Sequence, residues 1–124
     1  MLPLTAVVVQ SDPEAAAALV RSLARHFHTV RLAGSLEEAR NAIPRHRAEF
    51  VIVDLEVIGV AEVEQLRRDF SSLFIVCTHR LPDEKIWAAA LAAGALDCCH
   101  ASDVRSIVLA AMRNAAQASR PGAA

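Results

Sequence analysis

Cysteine and histidine side chains, which can ligate zinc or carry thiol redox chemistry, follow two apolar segments of this sequence. Cys77 and His79 end one segment, and Cys98, Cys99 and His100 end the next. Alternate residues of a strand share a face, so each Cys–His pair spaced two apart would lie on one side of its strand. That placement would allow a zinc or thiol-redox site. The alternative is that the cysteines fill the core, because cysteine is often buried and no C-x₂-C element is present.

Other polar residues follow apolar segments in the same way. Asp54 comes directly after one such segment, Thr78 after another, and Gln10 and Ser11 after the first. A carboxylate in such a place can serve chemistry or structure. The structural alternatives are that Asp54 caps the following loop and that the Thr78 hydroxyl bonds to nearby backbone.

Motifs of the common nucleotide-binding and hydrolytic sites are missing. The sequence has no G-x-G-x-x-G, no G-x-x-x-x-G-K-[ST] and no G-x-S-x-G. The segment 10–14 contains two carboxylates and no glycine, so it does not suit the phosphate of a flavin. We therefore expect no enzymatic activity.

Length and composition narrow the class of protein further. The 124 residues suit one domain, and a formal net charge of −1 gives no electrostatic footprint for nucleic acid or an anionic membrane. The three cysteines do not form the framework of a small secreted domain. The N-terminus lacks a signal-peptide pattern, and no apolar run approaches the roughly 18 residues of a membrane span. We expect a cytoplasmic protein.

The hydrophobic pattern alternates between strand-like and helix-like segments. Strands are predicted at 6–9, 29–32, 50–53 (ending at Asp54), 73–77 (ending at Thr78) and 95–99. Two helices are predicted to begin at capping boxes: one from Ser11–Glu14 to about His26, and one from Ser35–Glu38 to near Pro44. A third is predicted from about Val60 to Phe70, and a fourth from about Asp83 to Ala93, where Gly94 stops it. The last is predicted from a Ser102–Asp103 cap to about Ala116.

Five consecutive β-α units predict a parallel α/β sheet with helices on both faces, since parallel strands need crossover connections. The expected fold is a flavodoxin-like (βα)5 three-layer sandwich with strand order 2-1-3-4-5. We expect the domain to span residues 1–116, and residues 117–124 to form a flexible tail or linker. The carboxyl ends of the strands meet at one edge, where the polar residues named above would gather.

Three features resemble the response-regulator receiver domain of bacterial two-component signalling over roughly residues 5–116. They are an apolar third strand ending in Asp54, a fourth strand ending in Thr78, and Gly94-Ala95 before the fifth strand. The resemblance implies that Asp54 stands at the phosphoacceptor position. It also implies that Thr78 and Cys98 stand at the two switch positions, the second of which is usually aromatic.

The departures from the resemblance concern charge. Gln10 and Ser11 match the positions of two acidic residues that hold Mg²⁺, Asp12 is one residue late, and Ala101 matches a lysine. Mg²⁺ prefers carboxylate and water oxygens, and each charge-assisted contact contributes about 1.5–3 kcal/mol. As an early helix residue, Asp12 is expected to satisfy free amides instead. We therefore expect weak Mg²⁺ binding at most, no other cofactor or metal, and slowed phosphotransfer.

Two apolar residues are candidates for partner contacts. Trp87 is the lone tryptophan, and Leu109 falls off the apolar stripe of the last helix. The resemblance places Trp87 on the surface of helix 4, strand 5 and helix 5, around Cys98, through which receivers bind partners. The alternative for Trp87 is partial burial against Leu91. The expected partners are a protein or a second copy of the chain at this surface, and a histidine kinase, with no direct nucleic acid or membrane.

Together these observations predict a degenerate receiver: a signalling module acting mainly through protein–protein interaction, with reduced or absent phosphorylation of Asp54. The first alternative is a functional phosphoacceptor that uses Asp54 and Thr78. The second is a metal or thiol-redox sensor that uses the cluster of Cys77, His79, Cys98, Cys99 and His100. Receivers often precede DNA-binding or RNA-binding output domains, and by analogy the resemblance implies a role in transcription regulation.

Overall fold

The computed structural model describes residues 2–118, with side chains as far as residue 114. Strands and helices alternate along the described chain, as the hydrophobic pattern predicts. The strands are β1 (Leu2–Val9), β2 (Phe27–Ala33), β3 (Phe50–Asp54), β4 (Phe74–His79) and β5 (Asp97–His100). The helices are α1 (Pro13–Leu23), α2 (Leu36–Arg45), α3 (Val60–Asp69), α4 (Glu84–Ala92) and α5 (Val104–Ala118).

The strands form one parallel sheet in the order β2-β1-β3-β4-β5. This confirms the predicted flavodoxin-like topology. One apolar cluster joins the sheet to α2, α3 and α4, and a second joins the opposite face to α1 and α5. The segment 6–9 of β1 and all of β3 are buried on both faces of the sheet, which explains their continuous apolar runs.

Polar side chains cap α1, α2 and α4, but one predicted cap was wrong. Asp12, not Ser11, is the N-cap of α1, and its Oδ1 accepts a hydrogen bond from the backbone N–H of Glu14 at 3.2 Å. The proline at 13 explains the shift. Proline suits the first helical position, so the residue directly before it, Asp12, becomes the cap. Ser35 caps α2 as predicted, accepting from the backbone N–H of Glu38.

Several predicted boundaries differ from the structure. Helix α1 ends at Leu23 rather than near His26, because β2 already begins at the buried Phe27. Pairing with β2 extends β1 back to Leu2. The last strand is Asp97–His100 rather than 95–99. Helix α5 continues to Ala118, and the remainder of the predicted tail, 119–124, lies outside the described residues.

Gly94 ends the α4 segment in a left-handed conformation. Its φ is +105°, and a Cβ added there would lie 2.7 Å from Cγ of Arg67 on α3. Glycine is therefore needed at this position both for backbone conformation and for the close approach of α3.

We predict that Gly94→Ala lowers the free energy of unfolding by about 1–3 kcal/mol, because it combines backbone strain with a steric contact. Gly34→Ala is the matched control: an added Cβ there would meet only Glu38 Oε2 at 3.6 Å, without a positive φ. That control should change stability by less than about 0.5 kcal/mol. Urea unfolding of both variants measures the difference, and equal losses would contradict the assignment.

Candidate functional site

The sheet register places Asp54, Thr78 and Gln10 together at the carboxyl edge of the central strands. Asp54 of β3 pairs with Thr78 of β4. Val9 of β1 pairs with Val53 of β3, so Gln10 follows β1 at the level of Asp54. All three side chains are buried. The predicted gathering of polar residues at this edge is therefore present for these three.

Hydrogen bonds occupy both oxygens of the Asp54 carboxylate. The Gln10 amide Nε2 donates to Asp54 Oδ2 at 2.5 Å. The backbone N–H of Glu56 donates to Asp54 Oδ1 at 2.8 Å. On its other side the Gln10 amide oxygen accepts from the backbone N–H of Asp12 at 3.0 Å. The side chain of Gln10 thus links the start of the β1–α1 loop to the carboxylate at the end of β3.

The two residues that follow Gln10 place no charged group in the hydrogen-bond network around Asp54. Ser11 is exposed, and the Asp12 carboxylate, also exposed, caps α1. As expected for an early helix residue, Asp12 satisfies a free amide. Asp54 is therefore the one buried carboxylate at this edge within residues 2–114.

Two basic side chains that follow β4 contact a different carboxylate, that of Glu56. Arg80 Nε donates to Glu56 Oε1 at 3.0 Å, and His79 Nε2 lies 4.0 Å from the same oxygen. His79 Nδ1 accepts from the backbone N–H of Leu81 at 2.9 Å. At the position where the resemblance implies a lysine, Ala101 offers only its backbone N–H, which donates to the His79 carbonyl.

These residues do not fit the Mg²⁺ ion that the resemblance implies. Mg²⁺ takes oxygen ligands in an octahedral arrangement, normally including one or two carboxylates. Asp54 supplies one carboxylate, whose two oxygens already accept hydrogen bonds from Gln10 and Glu56. The part of the Gln10 amide that faces Asp54 is its NH₂ group, which is a hydrogen-bond donor and cannot ligate a cation.

The cysteines and histidines are neighbours on β4 and β5, with Cys77 beside Cys98 and His79 beside His100, but within the described residues they do not form a group that could hold a metal ion. Cys77 and Cys98 pair in register and belong to the cluster under α2–α4, whereas Cys99 packs on the opposite face. The Nδ1 atom of His100 accepts from the backbone N–H of Ser102 at 3.1 Å. No group of three His, Cys, Asp or Glu side chains within the described residues could hold a metal ion.

The thiols are also in environments that disfavour the reactive thiolate. Burial, with smaller contributions from Cys98 and Cys99, raises the pKa of Cys77 from the ordinary 9.0 to about 12. Burial and the neighbouring Asp97 carboxylate raise the pKa of Cys99 to about 12. Burial and Asp97 raise the pKa of Cys98 too.

The contact surface expected from the sequence includes one exposed aromatic residue, Trp87. Trp87 on α4 is 44% exposed, and its indole N–H donates to Asp97 Oδ1 of β5 at 3.3 Å. Leu109 on α5 is 39% exposed, whereas Ile107 and Val108 beside it are buried. Cys98 is itself buried, so the surface around it is formed by its neighbours.

No helix in the described residues is long and apolar enough to cross a membrane.

Solved structures of other proteins share this architecture. No family model and no curated protein matches the sequence. Among solved structures, a protein designated a response regulator from Chloroflexus aurantiacus J-10-fl aligns with a TM-score of 0.79 and 24% identity over 92% of this chain and 98% of its own. A response regulator from Thermotoga maritima aligns with a TM-score of 0.80 and 18% identity over 94% of this chain and 99% of its own.

The REC domain of RcsB from Salmonella enterica serovar Typhimurium, solved with the phosphomimetic BeF3⁻, is also similar. It aligns with a TM-score of 0.77 and 18% identity over 90% of this chain and 89% of its own. The chain has the receiver-domain fold. The receiver positions inferred from the sequence thus lie on the expected strands, with Asp54 at the end of β3 and Thr78 at the end of β4.

From the sequence, Gln10 was expected only as a lost acidic residue, whereas in the structure it is the hydrogen-bond partner of Asp54. The pairing of Glu56 with Arg80 and the bond between Trp87 and Asp97 were not predicted either. The position of Gln10 directly after a strand next to β3 was an available signal. The other two pairs depend on loop and edge geometry that no short motif encodes.

We predict that all three thiols of the native protein resist alkylation at pH 8 and react together once the protein is unfolded, because burial holds them as thiols. Thiol labelling followed by intact mass measures this. Rapid labelling of a native cysteine, or zinc retained through purification, would support the sensor hypothesis instead.

The same raised pKa values predict alkaline destabilisation. Below pH 9.0 the thiols are protonated in both states, and above it the unfolded state loses protons first. Stability should therefore fall as pH rises from 9.0 towards about 12. The chain has no tyrosine to obscure the effect. The fall should be smaller in Cys77→Ala, and an identical slope in that variant would contradict the assignment.

Proposed function

We propose that this chain is a signal-transduction module of the response-regulator type that acts mainly through protein–protein interaction, with phosphorylation of Asp54 reduced or absent. The receiver fold supports the signalling role. The observation that carries the second part is the hydrogen bond from the Gln10 amide to Asp54 Oδ2. The proposed non-enzymatic role agrees with the lack of a catalytic motif in the sequence.

Phosphoryl transfer depends mostly on positioning and on stabilisation of negative charge. Here the acceptor oxygens of Asp54 are engaged and buried, and Arg80 is paired with Glu56. Ala101 has no charge to place beside a phosphorylated carboxylate. Without two or three charge-assisted contacts of about 1.5–3 kcal/mol each, transfer should slow by orders of magnitude.

A functional phosphoacceptor is the second candidate, and one observation favours it. Asp54 and Thr78 pair in register, so a hydroxyl-bearing residue stands beside Asp54 on the adjacent strand. In this case a histidine kinase would be the natural partner, and the Gln10 amide would have to leave Asp54 before transfer. The two candidates differ in whether a phosphorylated form accumulates.

We predict that incubation with acetyl phosphate and Mg²⁺ leaves the intact mass of the protein unchanged, because the site lacks the cations that transfer needs. Mass spectrometry of the intact chain measures this, with Asp54→Asn as the control for modification elsewhere. A stoichiometric gain of one phosphoryl group that disappears in Asp54→Asn would establish the phosphoacceptor instead.

The surface formed by α4, β5 and α5 is the proposed interaction face. Trp87 offers an exposed indole that Asp97 orients through a hydrogen bond, and Leu109 adds exposed apolar area on α5. Tryptophan is enriched at binding hot spots because it buries a large area with little loss of conformational entropy. The expected occupant is a protein partner or a second copy of this chain.

We predict that Trp87→Ala weakens association by roughly 30-fold, the effect of losing about 2 kcal/mol at a hot spot. Sedimentation of the purified chain and retention of a co-purifying partner measure association. Leu32→Ala on β2, at the other edge of the sheet, removes an apolar residue that is somewhat more exposed than Trp87 and should have no effect. Equal behaviour of the two variants would count against this face.

A further inference from the structure

The side chain of Gln10 lies where the receiver resemblance implies an acidic ligand of a divalent cation, yet both its amide nitrogen and its amide oxygen make hydrogen bonds within the protein. Its amide nitrogen donates to Asp54 Oδ2 at 2.5 Å, and its amide oxygen accepts from the Asp12 backbone at 3.0 Å. We infer that Gln10 replaces the cation: its amide bridges the β1–α1 loop and the Asp54 carboxylate, so that the site is stable without metal. This inference rests on the proposed function, since it takes Asp54 as the phosphoacceptor position.

The orientation of the Gln10 amide follows from its partners. A backbone N–H can only donate, so the N–H of Asp12 must face the amide oxygen. A carboxylate can only accept, so Asp54 must face the NH₂ group. The two contacts require the same orientation of the amide, and a flipped amide would break both. The bridge therefore has one arrangement, as expected of a positioning residue.

Burial makes the bridge necessary for the carboxylate. Gln10 is 8% exposed and Asp54 is 6% exposed. A carboxylate oxygen that loses its donor in such a place pays the full cost of desolvation, because little water can replace the amide. The backbone N–H of Glu56 donates only to the other oxygen, Oδ1, so among the described residues Gln10 is the one donor that bonds to Oδ2.

Glutamate at position 10 would reverse the requirement for metal. It has nearly the shape of glutamine, but it would place an acceptor against Asp54 Oδ2 and add a second negative charge. Without a cation the two carboxylates would repel, and with one they would supply the oxygen ligands that Mg²⁺ prefers. The glutamine and glutamate forms of the site are thus expected to respond to divalent cations in opposite ways.

The test measures thermal unfolding of the full chain with and without Mg²⁺, together with Mn²⁺ titration followed by the spin-resonance signal of the free ion. The natural chain should bind no Mn²⁺ at millimolar concentrations and show no Mg²⁺-dependent change in Tm. Gln10→Glu should lower Tm by roughly 4–8 °C without metal, recover most of that loss in Mg²⁺, and bind Mn²⁺. Gln10→Ala should lower Tm by a similar amount and not recover in Mg²⁺.

Gln65→Glu is the matched control. Gln65 also donates its amide to an aspartate, Asp69 Oδ1 at 3.0 Å, but on the exposed surface of α3. The same chemical change there should leave Tm nearly unchanged and create no metal response, since water can replace the lost partner.

Mn²⁺ binding to the natural chain, or an unchanged Tm in Gln10→Ala, would overturn the inference. If Gln10→Glu does not fold, those two measurements still decide it. The proposed function fails separately, on phosphorylation of the natural chain by acetyl phosphate. A chain that is phosphorylated and yet binds no Mn²⁺ would refute the proposed function and leave the metal-free bridge in place.

Discussion

The buried carboxylate of Asp54 is the constraint on which the strand-end site depends. Every residue of β3 is buried, so the chain brings a charged group to the edge of an apolar layer where little water can solvate it. Such a group is stable only with donors close by. The parallel register of β1 against β3 supplies one donor from the Gln10 side chain, and the turn after β3 supplies the other from the Glu56 backbone.

The same arrangement explains how this receiver fold can hold its site with so few charges. A phosphorylated and metal-bound carboxylate needs nearby acids and a nearby cation, whereas a carboxylate that only accepts two hydrogen bonds needs neither. Ala101 is accordingly neutral, and Arg80 neutralises Glu56 outside the buried network. The fold thus holds the residues at the strand ends in one arrangement. The surface formed by α4, β5 and α5 is the part proposed to bind partners.

Much of the fold could be predicted because its signals are local. Apolar runs of strand length, capping residues such as Ser35, and Gly94 past a helix end give the β-α alternation, and crossover rules then give the strand order. The end of α1 could not be predicted in this way, since Phe27 joins β2 only through tertiary pairing with β1. Residue types also located Asp54 and Thr78, but the role of Gln10 depends on a contact across 44 residues of sequence. At position 10 the receiver pattern indicates only that an expected carboxylate is missing.

The most direct test of this account is a high-resolution crystal structure of the natural chain soaked in Mn²⁺, with an anomalous difference map. The account predicts no peak at the coordination distance of Asp54, about 2.0–2.2 Å, and a Gln10 amide still within hydrogen-bond distance of Oδ2. An ion ligated by Asp54, with the Gln10 amide turned away, would contradict it.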